Sequence, residues 1–337
     1  MKYFIPIFLF LIASCEDKQD NLVLEDSSTG DLIFVACEGN FGNGDGSIEV
    51  FKDDEKIQTV ENIGDVVQSI LLHDNNLFVA VNNSHKIKKF TITNAGLSLP
   101  GIEVDTYNSG PREMCIADNK LYFTNWNTKD IKILDLYNYT IETLVTLQNV
   151  PEDILTDGDY LWVTTPNLEL YDNNQGSTVL KFNVIDGSLE ETFQVGFGPE
   201  KLYLDENLLY VSRTMYDENW KSSYGSSTID ISTGEVTIVT YGAGAACRSD
   251  IFKLNNNIYR ATTNGAVPLD AQLNLNMTAK IGSYNSIYSG ESTNNQLFLG
   301  SSDYTAPDTV FFYDDIGELK RTLEVNVLPG DFAIYNY

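Results

Sequence analysis

Few residues in this chain of 337 are of the kinds that do covalent chemistry, and fewer are spaced to do it together. The two histidines, His73 and His85, stand apart in turn-like surroundings. A histidine metal site or a Ser-His-Asp relay needs such a residue among partners, and neither histidine has them. Four cysteines, Cys15, Cys37, Cys115 and Cys247, include no Cys-x-x-Cys pair. The last three lie in or beside apolar, strand-like runs, which predicts buried small hydrophobes. The glycine-rich NFGNGDGS (40–47) lacks the Gly-Lys-Ser/Thr of a phosphate loop and the terminal Glu of a calcium loop. It reads as a hairpin or bulged turn. YDNNQGS (171–177) and DENW (217–220) offer oxygen atoms but fit no established calcium loop, so no metal is expected. With 48 Asp and Glu, carboxylate pairs are inevitable and do not by themselves mark a glycosidase. What the chain does hold is material for non-covalent recognition. Aromatics recur in its polar segments, at Phe41, Trp126, Tyr171, Tyr216, Trp220, Tyr224 and Tyr304.

The net charge is -27. Nucleic-acid binding rests on Lys and Arg neutralising phosphates, and an acidic surface opposes it. Peripheral docking on anionic lipid is opposed for the same reason. Such a surface favours solubility and draws cations.

The chain starts MKYFIPIFLFLIASC. One lysine, a short apolar run and a small-residue zone describe a secretory signal over residues 1–14, too short to span a bilayer. Ile-Ala-Ser-Cys at 12–15 resembles a bacterial lipobox, which implies that Cys15 is lipidated and becomes the mature amino terminus. An ordinary signal peptide with an incidental cysteine is the alternative. Residues 15–30 are polar and acidic and read as a flexible tether. Acidic residues just after the cysteine resemble the export signal of lipoproteins facing the cell exterior on an outer membrane. With Cys15 lipidated, three cysteines remain, so at least one thiol is free.

The recognition residues need a frame, and the rest of the chain supplies one by repetition. GPREMCIADNKLYFTNW (110–126), VPEDILTDGDYLWVTT (150–165) and GPEKLYLDENLLYVSR (198–213) say nearly the same thing. Each is a turn, an apolar strand, a tight polar turn and a second apolar strand. Repeats of about 40–50 residues signal propellers or solenoids. Second strands begin near Ile33, Leu77, Leu121, Leu161, Leu209, Ile258 and Leu297, which makes seven units. The Asn, Asp and Gly between them suit two-residue hairpins. Two more strands follow in most units, so residues 31–337 are expected to be all-β, a seven-bladed β-propeller with four antiparallel strands per blade. Six or eight blades stay open if a divergent unit is misjudged. PGDFAIYNY (329–337) is a first strand lacking its second, and DLIFVACEGN (31–40) a second lacking its first. Pairing them would close the ring from both termini and remove its open edge.

FTNWNTKDIKILDL (123–136) resembles the YVTN-type propeller repeat. FVACEGNFGNGDGSIEVF (34–51) with GDVVQSILLHDNNLFVAVNNSHKIKKF (64–90) is similar to the opening blades of YncE-like exported propellers. The resemblance covers almost all of the mature chain, most strongly residues 31–165. That group includes BtuG-type outer-membrane lipoproteins, which capture cobalamin (vitamin B12) at the cell surface and pass it to a TonB-dependent transporter. The resemblance therefore implies a lipid-anchored binder facing the exterior, with cobalamin or a similar large cofactor as ligand, a transporter as partner, and a monomer once soluble.

In a four-stranded blade running A to D outward, the B–C and D–A connections share one face. Here the B–C segments are long and carry the aromatics, whereas the A–B turns are short. Long loops on a rigid scaffold concentrate function, and Tyr and Trp give contact area plus a polar handle. The D–A segments add Gln68, Arg112, Glu113, Glu152, Glu200, Arg248 and Asn285 near the axis. The expected contacts are Phe41, Arg112, Trp126, Arg213, Tyr216, Trp220, Arg248 and Tyr304. A propeller enzyme of lactonase, lyase or quinoprotein type and a protein- or glycan-binding scaffold remain as other readings.

Overall fold

A computed structural model describes residues 30–53 and 55–337. The expected signal segment 1–14, Cys15 and nearly all of the expected tether lie outside the described residues. The alternating and β-branched runs form seven antiparallel sheets, set as blades around one axis. Their innermost strands are Pro329–Tyr335 (blade 1), Val67–His73 (2), Pro111–Ala117 (3), Ile154–Thr156 (4), Pro199–Asp205 (5), Ile251–Leu254 (6) and Ile287–Thr293 (7). Each touches the next, and blade 7 touches blade 1, so the ring is closed. Among the described residues no helix is long and apolar enough to cross a membrane.

The ring closes by the predicted clasp. Leu32–Cys37 pairs with the carboxy-terminal Pro329–Tyr335, Leu32 opposite Tyr335 and Val35 opposite Phe332. Leu32 thus sits at the turn-rich end of blade 1, and Cys37 at the end where the B–C connections lie. The A–B turns match their chemistry. Asp118 and Asn119, and Asn294 and Asn295, all take positive φ, as primed hairpin turns demand.

Apolar clusters fill the seams between blades. Phe34, Ile48, Val79 and Phe90 lie between blades 1 and 2, and Trp162, Phe193, Leu209 and Ile229 between blades 4 and 5. The seam between blades 5 and 6 is built differently. Arg260, fully buried, donates to the Ser249 and Asp250 carbonyls at 2.5 and 2.6 Å. Its guanidinium lies 5.7 Å from the Tyr224 ring.

Blade 6 also departs from the four-strand pattern. It has three strands, Ile251–Leu254, Asn257–Thr262 and Gly265–Pro268. The outer position is taken by residues 269–285, held to the third strand by the single bridge Ala266–Ile281 and closed on itself by Leu269–Leu275. Among the B–C segments expected to be long loops, 212–227 and 262–272 turn out to hold strand. The second contains Gly265–Pro268, and the first is mostly the pair Leu208–Tyr216 and Ser222–Asp230. Tyr224 is therefore a buried strand residue packed on Tyr241, not a loop aromatic.

Candidate ligand-binding funnel

At or just before its start, each inner strand carries a pair of adjacent residues near the axis. They are Gln68-Ser69, Arg112-Glu113, Glu152-Asp153, Glu200-Lys201, Ser249-Asp250, Tyr288-Ser289 and Gly330-Asp331. Carboxyls of four blades, three of them second members of these pairs, do structural work on the neighbouring blades. Asp153, Asp250 and Asp331 accept the backbone N–H groups of Leu202 (2.7 Å), Gly290 (2.8 Å) and Ile70 (2.7 Å). Glu291 does the same for Phe332 at 3.0 Å. These carboxyls staple blade to blade, and among the described residues no three His, Cys, Asp or Glu side chains gather to hold a metal ion.

Above them the axis opens into a funnel of about 530 Å³ at the loop-rich end, within the range of small-molecule sites. Of the expected contacts, Phe41, Arg112, Trp126, Tyr216, Trp220 and Arg248 line it, joined by Tyr171. Trp126 and Trp220 thus share one cavity. Tyr304 lines an adjoining cleft that shares Tyr216, Cys247 and Tyr288 with the funnel. Arg213 lines neither. It is 2% exposed and donates to the Val239 carbonyl at 2.7 Å and to Thr240 Oγ1 at 3.1 Å, tying blade 5 together. Asn285 lines the cleft and not the tunnel; Tyr288, three residues on, occupies the position at the axis.

The floor is a web of charged groups reaching across the tunnel. Arg248 on blade 6 donates to Glu38 and Glu113, each at 3.2 Å, and to the Gln68 carbonyl at 3.0 Å. Lys201 on blade 5 pairs with the same Glu113. Arg248 and Lys201 also line a lower chamber of about 260 Å³, so they form a partition between two cavities. Burial works against the Glu113 charge, yet Lys201 and Arg248 hold its carboxyl below the usual range. Beside them Arg112 bonds Glu152 through Nε at 3.0 Å and stacks 3.8 Å from the Trp126 ring centroid, a cation–π pairing. Trp126 Nε1 donates to Glu152 at 2.7 Å, which fixes the ring against the wall.

Two wall carboxyls behave differently. Burial raises Glu38 against the pull of Arg248 and Arg112. Burial and the Glu152 charge push Glu200 up to about 8. Between the ordinary value near 4.5 and about 8, the folded chain keeps the Glu200 proton while the unfolded chain has lost it. Stability from this group therefore falls as pH rises through that window and is level above it. Compared with Glu200→Gln, the wild type is expected to lose up to about 1.4 kcal/mol for each pH unit crossed. Urea midpoints of both proteins at pH 5 and pH 8 check this; parallel shifts would contradict it.

The rim is strained. Val66, Tyr171, Trp220 and Leu328 line the funnel with φ of 61, 56, 60 and 62°. Left-handed backbone costs a bulky residue about 1–2 kcal/mol. Tyr171 and Trp220 are nonetheless 77% and 56% exposed, so their own burial does not offset that cost.

The sequence signals missed Glu38, Lys201, Cys247 and Tyr288. The paired residues after each Gly-Pro or Val-Pro turn mark Lys201, but Glu38 is carried by the loop and Cys247 by an irregular connection. Cys37 and Cys115 are buried as expected. Cys247 is exposed on the funnel wall, correcting the expectation of a buried hydrophobe, and all three are free thiols.

No family model matches the chain, and no curated protein matches it. Its fold is that of known β-propeller structures. A candidate 6-phosphogluconolactonase from Bacteroides fragilis is 14% identical over 92% of this chain and 99% of its own, with a TM-score of 0.64. A protein from Lactobacillus plantarum is 13% identical over 91% and 99%, with a TM-score of 0.62. Apo AztD from Citrobacter koseri is 9% identical over 91% and 98%, with a TM-score of 0.56. The class the fold defines is the seven-bladed β-propeller.

Proposed function

We propose that this propeller captures a large polar cofactor without turning it over, with cobalamin as the ligand. In this reading it is anchored through lipidated Cys15 on the outer face of an outer membrane and hands its ligand to a TonB-dependent transporter. The observation that carries the reading is an aromatic rim set over a mixed donor–acceptor floor at one end of the ring. A corrin is broad and flat and wants apolar cover, which Phe41, Trp126, Tyr171 and Trp220 offer. Its peripheral amides want polar partners. Asn82 on the wall donates through Nδ2 to the Pro111 carbonyl and keeps its Oδ1 as an acceptor, beside the Arg112 guanidinium held by Glu152 and Gln68. The resemblance of residues 31–165 to YncE-like propellers supports the same ligand class.

Titrating cyanocobalamin into soluble protein that starts after Cys15 tests the ligand. The expected result is a saturable heat at one site and a raised melting temperature. No heat and no stabilisation at high vitamin concentration would remove cobalamin. A lactonase reading draws on one feature, the proton held by Glu200 on the funnel wall, which suits a general acid. Sugar-lactone hydrolysis that disappears in Glu200→Gln would favour it.

A further inference from the structure

The funnel wall has a gap. Blade 6 joins its second and third strands through Thr263 and Asn264 alone, whereas blades 4 and 5 raise Tyr171 and Trp220 on longer loops. Over that low point lies the adjoining cleft, about 340 Å³ between blades 5, 6 and 7. Its chemistry differs from the funnel's. No Asp, Glu, Lys or Arg lines it. Hydroxyls and an amide do, from Thr214, Ser222, Thr263, Asn285, Ser286 and Ser302. Ser286 pairs with Ser301 at 2.8 Å, and Ser302 accepts the Tyr304 N–H at 2.9 Å. Among the described residues, the Ser222 and Asn285 side chains make no hydrogen bond, leaving donors and acceptors for an occupant. Tyr216 and Tyr304, 38% and 61% exposed, stand at the cleft with ring area to spare. Tyr288 meets Tyr304 edge-on at 6.2 Å, which fixes one of these rings.

We infer that this cleft is a second subsite, which seats a neutral sugar ring. The ring's apolar face lies on a tyrosine, and its hydroxyls replace water on Ser222, Asn285 and their neighbours. Stacking area with a few convergent polar groups suits such a ring, and a neutral ring leaves no charge that the cleft would have to match. The sugar is either one arm of the ligand held in the funnel or a free glycoside. The inference rests on the capture reading only for the first source.

The test uses soluble protein, wild type and Asn285→Trp. Asn285 is exposed and its side chain is unbonded, so the bulky ring fills the cleft without removing a contact. Thr263→Trp is the second variant should the first melt early. Affinities are measured for cyanocobalamin and for cobinamide, which lacks the ribose-bearing arm. The expected result is that wild type prefers cyanocobalamin at least tenfold and that filling the cleft removes the preference. An unchanged preference, or none in the wild type, overturns the ribose source while leaving corrinoid capture standing. Saturation-transfer NMR with methyl glucoside then decides the free-glycoside source. It decides the whole inference if neither corrinoid binds, an outcome that ends the vitamin reading. Transfer present in wild type and lost in Asn285→Trp upholds the subsite. Absence of transfer to the glucoside, with no arm-dependent preference among corrinoids, overturns it.

Discussion

Truncating Arg248 to alanine lowers the free energy of unfolding by about 3–5 kcal/mol, the cost of breaking a buried ion pair from one side. Arg248 is 8% exposed and serves three acceptors on three other blades. Without it, Glu113 keeps only Lys201 as a close cation, and the Gln68 carbonyl loses its donor. Arg248→Lys keeps the charge but cannot reach Glu38, Gln68 and Glu113 at once, so an intermediate loss is expected. Denaturant unfolding of the two variants and wild type measures both. A loss below about 1 kcal/mol for alanine would mean that water takes over the partition readily, and the rigid floor inferred for the funnel would be wrong.

Trp220→Asn is expected to do the opposite, sparing the fold and removing binding. Trp220 is exposed, packs 6.0 Å from Tyr216, and has φ of 60°. Asparagine tolerates that backbone, so relief of strain offsets the lost ring contact and stability moves by about 1 kcal/mol or less. Affinity for cyanocobalamin falls about 30-fold or more, the loss of one aromatic anchor worth about 2 kcal/mol. Unfolding midpoints and calorimetry on the same samples separate the two effects. Unchanged affinity would move the ligand away from the blade 5 side of the rim.

The ring and its clasp were legible because they depend on patterns the chain repeats. Apolar strands recur around polar turns, and two half-units at the ends have no partner except each other. The rim residues were legible for a related reason, since Phe41, Trp126 and Trp220 are large apolar side chains amid polar neighbours. The errors fall where composition misleads about backbone state. Ser222–Asp230 is rich in serine and looks like loop, yet its register against Leu208–Tyr216 is continuous. Hydroxyls there satisfy the seams, as Ser227 does by donating to the Val195 carbonyl at 2.7 Å. Arg213 is expected at the funnel because it stands at the start of the polar segment 212–227, which reads as a loop. It lies instead within the strand Leu208–Tyr216, and the groups that consume its donors, the Val239 carbonyl and Thr240 Oγ1, are invisible in sequence. Cys247 escaped because its connection to the axis follows no repeat.

The direction of the first strand has a geometric consequence. Leu32 enters at the turn-rich end, and the chain travels along Leu32–Cys37, about 20 Å at 3.3 Å per residue, before Glu38 reaches the mouth. The described amino end therefore joins the ring beneath the funnel, at the foot of the cup rather than at its brim. If the proposed anchoring through Cys15 holds, a tether attached there would leave the opening facing away from the membrane.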